Sequence, residues 1–355
     1  MEPDPTHARL SLRDIGKILG VSHVTVSLAL RNNPRISKAV REKIQQVALD
    51  LGYKPDPMLA ALAQYRRGKA VAPISAAIAW INAWKPSKKL RSYKEFDAYW
   101  VGASKAAAKF GYRLEEFQLG EGYTPERLHQ ILTARGINGI LLPPQRPHPN
   151  WGNFPWENYS VVRFGRSLKH PETHVVTSDQ VANTMLAFQK IRERGYQRIG
   201  FVTHEIASFE RGHLFEAGYL MAQRTVPEKQ RLPICVIEEG PNTGRVEAVL
   251  AWHNKHKPDA IFTDTGDMPD ILQRAGIRVP QDMALAVTTL LDSTVDAGID
   301  QRPEEIGRVG FLMLNSLIND GARGIPPIFR QNLVEGAWVD GSMLPHKGAT
   351  AAPAK

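Results

Sequence analysis

Residues Leu10–Asn33 read LSLRDIGKILGVSHVTVSLALRNN. Two short segments with apolar residues at helical spacing are separated here by Gly20 and Val21. Ser11 and Asp14 have the spacing of a capping box, and Ser22 can cap the second segment. Because two short helices joined by a tight glycine-containing turn make a helix-turn-helix, the stretch predicts that motif.

A third helix is expected directly after this motif. Ser37 can cap it, and apolar residues then recur at helical spacing, namely Val40, Ile44, Val47, Ala48 and Leu51. Gly52 suits the left-handed position that ends a helix. The inner sides of the first two helices, with Ile15, Ile18 and Leu19 on one and Val26, Ala29 and Leu30 on the other, complete a small core. The pattern predicts three helices around that core.

The outer side of the second helix carries short hydroxyl and small apolar residues rather than long charged ones: Ser22, His23, Val24, Thr25, Ser27 and Leu28. Short hydroxyl side chains let a helix approach phosphates closely, and residues near its start can reach base edges in the major groove. We therefore expect this helix to lie against DNA.

Charge is unevenly distributed along the 355 residues, whose formal net charge is +9. Residues 1–70 hold 12 lysines and arginines against 6 acidic residues, so they supply most of the excess. A basic end on a nearly neutral body favours nucleic-acid binding, although a solvated basic face would give the same count.

The segment after the third helix begins Tyr53-Lys54-Pro55-Asp56-Pro57 and continues MLAALAQYRR. Asp56 is a suitable N-cap and Pro57 a suitable first helical residue, but the helix is too short to be stable alone. One interpretation is a helix that forms only on docking, and the alternative is an ordinary amphipathic linker.

The whole stretch LSLRDIGKILGVSHVTVSLALRNNPRISKAVREKIQQVALDLGYKP resembles the headpiece of the LacI/GalR family of bacterial transcription regulators. The resemblance implies that the segment beyond Tyr53 is a hinge helix that folds on operator DNA and inserts Leu62, beside Met58, into the minor groove. It also implies the set of DNA-contacting residues, which is Leu12, Ser22, His23, Val24, Thr25, Ser27, Leu28, Arg31, Arg35, Tyr53, Met58 and Leu62.

Two positions depart from the family pattern in the predicted reading helix. Leu28 stands where an arginine commonly reads guanine, and Val24 offers only an apolar contact, for example to a thymine methyl group. His23 is the best remaining polar base reader, with Arg31 and Arg35 nearby. We expect an operator that differs from the family's common sequence at the positions facing Val24 and Leu28.

From Ile74 onward, strand-like and helix-like segments alternate. Examples are strand 137–144, helix 181–194, strand 198–203, helix 209–224 and strand 260–263. Such repetition indicates parallel sheets covered by helices. Stretches such as INGILLPP and KPDAIFTD resemble the family's periplasmic-binding-protein-like regulatory domain. The predicted fold class is therefore α/β, with a three-helix headpiece followed by two doubly wound α/β subdomains that face each other across an effector cleft.

Three usual ligand anchors of that regulatory domain are altered here. Phe215 occupies the position of a sugar-binding arginine, Thr265-Gly266 that of an Asn-Asp pair, and Thr289 that of an aspartate. Either the effector is not an ordinary monosaccharide, or the site no longer binds a ligand. The candidate effector residues are Trp80, Asn82, Trp84, Asp179, Phe209, Arg211, Asp264 and Asp267. Each tryptophan can also be core packing, and Asp179 can be a helix cap.

Other classes of site find little support. The single cysteine, Cys235, excludes an intramolecular disulfide and is expected to be a buried, inert thiol; no metal site, cofactor or catalytic unit is expected. No apolar run approaches the roughly 18 residues of a membrane span, and the start of the chain is unlike a signal peptide, so a cytoplasmic protein is expected.

These observations predict a DNA-binding regulator, most simply a repressor, that acts as a homodimer on near-palindromic double-stranded operator DNA and responds to a small effector such as a sugar. The expected divisions are the headpiece (1–55), the hinge and linker (56–69), the effector and dimerisation domain (70–343) and a disordered tail (344–355). The alternatives are a solute receptor, an α/β enzyme with a DNA-binding domain, and a regulator with a degenerate effector site.

Overall fold

The computed structural model describes residues 12–30, 36–51, 76–145, 148–238 and 242–347. The chain forms two compact units, residues 1–73 and residues 74–355. The first contains helices α1 (Leu12–Leu19), α2 (His23–Leu30) and α3 (Lys38–Asp50).

The three helices surround a small core made of Ile15, Val26, Ala29, Ile44 and Ala48. This confirms the helix-turn-helix and the third helix predicted from the apolar spacing. Two apolar residues that were assigned to the core by spacing, Ile18 and Val40, are exposed instead.

The turn between α1 and α2 is held by main-chain geometry. Gly20 adopts a φ of 67°, and the Val21 amide donates to the Gly16 carbonyl at 2.9 Å. Gly16 must be a glycine, because a Cβ there would lie 2.7 Å from the Val21 carbonyl oxygen. Ser22 then caps α2 as predicted, with its Oγ accepting from the Thr25 amide at 3.0 Å.

The second unit consists of alternating strands and helices. In chain order these are β1 (Ala76–Asn82), α4 (Lys88–Ser92), α5 (Lys94–Lys109), β2 (Tyr112–Gln118), α6 (Pro125–Ala134), β3 (Gly139–Leu142), β4 (Ser160–Phe164), β5 (His174–Ser178), α7 (Gln180–Glu193), β6 (Ile199–His204), α8 (Glu205–Glu210), α9 (Leu214–Gln223), β7 (Cys235–Ile237), α10 (Asn242–His256), β8 (Ala260–Thr263), α11 (Met268–Arg274), β9 (Ala284–Val287), β10 (Gly298–Asp300), α12 (Pro303–Asp320), β11 (Gln331–Val334) and β12 (Ala337–Val339). Short 3₁₀ helices lie at Trp156–Asn158 and Glu228–Gln230.

Two six-stranded sheets result from this order. The first runs β11-β5-β4-β3-β1-β2 and is parallel throughout. The second runs β12-β10-β9-β8-β6-β7, in which only β12 is antiparallel to its neighbour. Each sheet has a separate apolar cluster on each face. This is the predicted pair of doubly wound subdomains.

The chain crosses between the two subdomains three times. It passes from β5 to α7, from β10 to α12, and from β11 to β12. Although α12 follows β10, it packs on α5 and on the first sheet. Each subdomain is therefore assembled from separated stretches of sequence.

The predicted helix over residues 209–224 is broken in the structure. Its first part, α8, ends at Glu210 and its second part, α9, begins at Leu214. The break arises because Gly212 and His213 both adopt positive φ values, 69° and 57°. Arg211 therefore lies in the turn between α8 and α9, and the direction of its side chain is not set by a continuous helix.

Residues 344–347, which were assigned to a disordered tail, belong to the folded second subdomain. Leu344 is buried in the core of the second subdomain, and the Tyr196 hydroxyl donates to the Pro345 carbonyl at 2.9 Å. Lys347 donates from its amide to the Arg194 carbonyl at 2.8 Å and from Nζ to Asp259 at 2.6 Å. Sequence composition missed these contacts because Ala, Pro and Lys residues further on dominate the segment. Residues 348–355 lie outside the described part.

Among the described residues, no helix has the length and apolar character that crossing a membrane requires.

Candidate functional site

The outward side of α2 is the candidate nucleic-acid surface of the first unit. Ser22 and His23 are exposed, and 53% of Val24 is accessible. Thr25, Ser27 and Leu28 are half-buried. The Gln45 side chain of α3 donates to the Ala29 carbonyl at 2.9 Å and so fixes the end of α2. The first turn of α2 is thus exposed to solvent, while its other end is held by the hydrogen bond from α3.

Several other predicted DNA-binding residues are placed differently or lie outside the described residues. Leu12 packs against the headpiece core and is half-buried. The predictions for Arg31, Arg35, Tyr53, Met58 and Leu62 fall outside the part of the chain that the structure describes.

A cavity of about 320 Å³ lies between the two subdomains of the second unit. It is lined from the segments that follow the carboxyl ends of the parallel strands, where ligands bind in open α/β sheets. Trp84 follows β1, Pro144 follows β3, Ser167 follows β4 and Asp264 follows β8. Aromatic rings form much of the wall, contributed by Trp84, Tyr93, Phe96, Tyr99 and Phe215.

Three of the eight predicted effector residues line this cavity: Trp84, Arg211 and Asp264. The Trp84 indole donates to the Pro144 carbonyl at 2.8 Å, and its ring lies 5.5 Å from that of Tyr93. The indole is therefore held in a fixed orientation at the cavity wall.

Trp80 and Asn82 do not line the cavity, although both were predicted to. The two residues belong to β1, which is buried on both faces because it lies inside a parallel sheet. Trp80 packs in the apolar core against Trp100 and Phe164. The side-chain amide of Asn82 donates from Nδ2 to the Ser87 carbonyl at 2.9 Å and to the Glu116 carboxylate at 2.6 Å. Only residues beyond the end of the strand reach the cleft.

Asp179, Phe209 and Asp267 are also not among the lining residues. Asp179 is the N-cap of α7 and accepts from the Ala182 amide at 2.9 Å, which was the alternative interpretation. Asp267 pairs with Arg245, at the start of α10. Phe209 is 65% exposed on α8. Asp179 and Asp267 follow strand ends, but their hydrogen bonds and ion pairs with other residues hold them away from the cavity.

Arg211 and Asp264 form an ion pair at the cavity wall. Asp264 also accepts from the Thr203 hydroxyl at 2.9 Å. Burial raises the pKa of the Asp264 carboxyl, and the neighbouring Arg211 guanidinium opposes that shift. The guanidinium lies 5.5 Å from the centre of the Phe215 ring. Arg211, one of the predicted effector residues, thus reaches the cleft beside Phe215, which occupies the position of the family's sugar-binding arginine.

Glu95 also lines the cleft, although it was not among the predicted effector residues. It lies in the first turn of α5, and its carboxylate accepts from the Tyr99 hydroxyl at 2.8 Å. Burial raises the pKa of the Glu95 carboxyl, the Tyr99 hydrogen bond lowers it, and the carboxylate of Asp292 raises it further. The available signal was its position in the first turn of a helix within the connection from β1 to β2.

Five lining residues carry a polar atom that is shielded from solvent and has no hydrogen-bond partner in the described protein: Arg166 Nε, Ser167 Oγ, Gln180 Oε1, Asp264 Oδ1 and Thr265 Oγ1. Unpaired buried polar atoms are uncommon and costly, and the presence of five such atoms on residues around one cavity favours a binding site there. The set offers both hydrogen-bond donors and acceptors. A polar ligand with several hydroxyl groups could satisfy them.

Metal and thiol chemistry find no support in the described residues. They contain no group of three or more histidine, cysteine or acidic side chains that could hold a metal ion. Cys235 is buried in β7, and burial raises the pKa of its thiol to about 12. The thiol is therefore protonated and unreactive near neutral pH.

Two family models match the chain. Bacterial regulatory proteins of the lacI family match residues 11–56, and the periplasmic binding protein-like domain matches residues 188–337. Among relatives, the HTH-type transcriptional regulator PtxS of Pseudomonas putida is 25% identical over 89% of this chain and 91% of its own length. The HTH-type transcriptional regulator CelR of Thermobifida fusca is 25% identical over 81% of this chain and 83% of its own length.

Solved structures share the fold. A complex of transcriptional regulator CelR with cellobiose has a TM-score of 0.54 at 20% identity and covers 94% of this chain and 99% of its own. The lac repressor dimer bound to operator and the anti-inducer ONPF has a TM-score of 0.53 at 16% identity and covers 95% and 100%. The chain therefore belongs to the LacI family of bacterial regulatory proteins, as a transcriptional regulator with a helix-turn-helix headpiece and a periplasmic-binding-protein-like domain.

Proposed function

We propose that this regulator is a repressor that binds a near-palindromic operator as a homodimer, and that a hydroxyl-rich effector in the cleft sets its operator affinity. The exposed first turn of α2 supports the DNA half of this proposal. The five cleft residues that each carry an unpaired polar atom support the effector half. A DNA-binding regulator of this kind acts in the cytoplasm.

Base reading falls to His23, Val24 and Leu28 on α2, with Ser22, Thr25 and Ser27 approaching the phosphates. Arg31 and Arg35 add positive charge near the backbone, Leu12 supports the helix, and Tyr53, Met58 and Leu62 belong to the hinge that widens the minor groove. Two headpieces are needed to contact two half-sites, which is why we propose a dimer; the lac repressor of known structure is a dimer bound to its operator.

The effector is proposed to be a carbohydrate. Five aromatic rings can cover the apolar faces of a sugar ring, and the unpaired atoms can bond its hydroxyl groups. CelR, which has the same fold, forms a complex with cellobiose. Trp84, Arg211 and Asp264 remain proposed effector residues, together with Arg166, Ser167, Gln180 and Thr265. We retain the division into headpiece (1–55), hinge (56–69) and effector domain, with the last extended to Lys347.

The route from effector to operator follows from the three crossings between subdomains. A ligand that contacts both walls binds the closed cleft more tightly than the open one, and so shifts the population toward closure. Gln180 lies directly after the first crossing and lines the cavity, so a ligand bound there lies next to a connection between the two subdomains. Ligand and operator then influence each other's affinity through the same equilibrium.

The test uses the full chain in two separate measurements. The first selects bound duplexes from a random library and titrates the best one with salt; we expect a near-palindromic sequence and an affinity that falls steeply with salt. The second records thermal unfolding with mono-, di- and oligosaccharides and sugar acids, cellobiose included; a ligand of the folded state raises the midpoint with concentration. Selection of no sequence would overturn the DNA half, and the absence of any shift would favour the degenerate site.

A further inference from the structure

The amino-terminal end of α5 lacks a cap from its own segment. Its N-cap residue is Tyr93, which makes no side-chain hydrogen bond to the helix. The first amides of a helix have no partner within the helix and need an acceptor from elsewhere. In α5 that acceptor comes from the opposite subdomain.

Asp292 supplies it. Its carboxylate accepts from the Lys94 amide at 2.8 Å and from the Glu95 amide at 3.0 Å. Asp292 lies between β9 and β10 in the second subdomain, whereas α5 covers the first sheet. A carboxylate at the start of a helix is stabilised by both the hydrogen bonds and the helix dipole. Here this common local interaction joins two subdomains across a cleft.

Further contacts span the same gap. The Thr289 hydroxyl lies 3.5 Å from Glu95 Oε2, next to the Asp292 contact. Lys169, which follows β4, places its Nζ 3.4 Å from the Glu210 carbonyl oxygen and 5.6 Å from the centre of the Phe209 ring. These contacts hold only while the subdomains are close together, because each joins one residue from either side.

We propose that Asp292 is the closure latch of the cleft: carried by one subdomain, its carboxylate caps α5 of the other and favours the closed arrangement before any ligand enters. Opening the cleft breaks these hydrogen bonds, exposes the Lys94 and Glu95 amides to water and removes the carboxylate from the amino-terminal end of α5. The latch itself does not depend on the proposed function; only its effect on operator affinity rests on that proposal. A weakened latch lowers the closed population and therefore the apparent ligand affinity.

The experiment compares the full-length protein with Asp292→Ala, Asp292→Asn and the control Asp282→Ala. Asp282 belongs to the same subdomain, and among the described residues its carboxylate accepts hydrogen bonds from the nearby Arg278 alone. Residue-resolved hydrogen exchange reports on the Lys94 and Glu95 amides. Hydroxyl-radical labelling, read by mass spectrometry, reports on cleft opening through Trp84, with Trp80 as the internal reference. Trp84 is 5% exposed at the cavity wall, whereas Trp80 is 0% exposed in the core.

In Asp292→Ala we expect exchange at Lys94 and Glu95 to be roughly tenfold faster, the size of one lost cap. Labelling of Trp84 should rise severalfold while that of Trp80 stays constant, and Asp292→Asn, which retains one acceptor oxygen, should be intermediate. Faster exchange without more Trp84 labelling would make Asp292 a helix cap and not a latch. Unchanged exchange would show that the contact is absent in solution. Neither readout involves operator or ligand, so failure here is distinct from failure of the proposed function.

Discussion

Replacing Thr265 with valine should stabilise the protein, whereas the same change at Thr263 should destabilise it. Both threonines line the cleft and are essentially inaccessible, at 1% and 0% exposure. They differ in their hydrogen bonds. Thr263 Oγ1 donates to the Val202 carbonyl at 2.8 Å and accepts from the Thr265 amide at 3.0 Å. Thr265 Oγ1 has no partner in the described protein.

The magnitudes follow from these hydrogen bonds. A buried hydroxyl without a partner costs about 1–3 kcal/mol, so removing it from Thr265 should raise the free energy of unfolding by about 1 kcal/mol. In a unit of this size that corresponds to a midpoint about 2–4 °C higher. Valine at 263 leaves a carbonyl and an amide without their side-chain partner and should lower the free energy of unfolding by about 1–3 kcal/mol.

Urea denaturation of the full chain, followed by tryptophan fluorescence, measures both changes. If Thr265→Val is destabilised as much as Thr263→Val, its hydroxyl is already paired and the cleft does not hold the unpaired set that supports a ligand. With a carbohydrate that raises the wild-type midpoint, Thr265→Val should bind roughly 2- to 10-fold more weakly, the value of one neutral hydrogen bond. Equal binding by both proteins would remove Thr265 from the proposed site.

Three further outcomes are expected. Gly16→Ala places a Cβ 2.7 Å from the Val21 carbonyl oxygen, so it should destabilise the headpiece by about 1–3 kcal/mol and weaken duplex binding. The control Gly244→Ala has open space around its Cβ and should leave duplex binding unchanged. Equal binding by the two variants would contradict the turn geometry. Burial raises the folded pKa of Asp264 above its ordinary 3.8, so the stability gained from its bound proton is present at low pH and lost as pH rises through the folded pKa. The free energy of unfolding of wild type relative to Asp264→Asn, measured in urea from about pH 4 to pH 8, should therefore fall and then level off. A difference that rises with pH would refute the shift. Leu28→Arg should change the selected base facing residue 28 to guanine, since arginine bonds guanine O6 and N7 together, and an unchanged selected sequence would place residue 28 away from the bases.

The headpiece could be predicted from the sequence because its signals are local. Ser22 caps α2, Gly20 makes the turn, and Ile15, Val26 and Ile44 meet in the core as their spacing requires. Assignments to the core by spacing alone were less secure. Ile18 and Val40 match the apolar repeat, but a three-helix core of this size has room for only part of it.

The cleft was harder to predict because its residues come from many strand ends. Arg211 and Asp264 were found through their position relative to strands, yet Trp80 was assigned to the cleft although it lies within a strand buried on both faces. The strands β4 and β5 carry an arginine and a histidine among their valines and were not predicted, so Arg166 and Ser167 were missed. Asp292 reaches Glu95 over 197 residues, a contact that no local pattern encodes.

The three crossings between subdomains determine how this protein can be recombined. The headpiece is one continuous stretch that precedes the effector domain, so it can be exchanged as a single segment, and operator specificity can change with it. Neither subdomain can be moved in that way. The first needs β1–β5 together with α12 and β11, and the second needs α7–β10 together with β12 and the segment that follows it. Chimeric proteins should therefore contain the whole effector domain from one parent. Changes of effector are expected to arise by point substitution inside the cleft rather than by exchange of a subdomain.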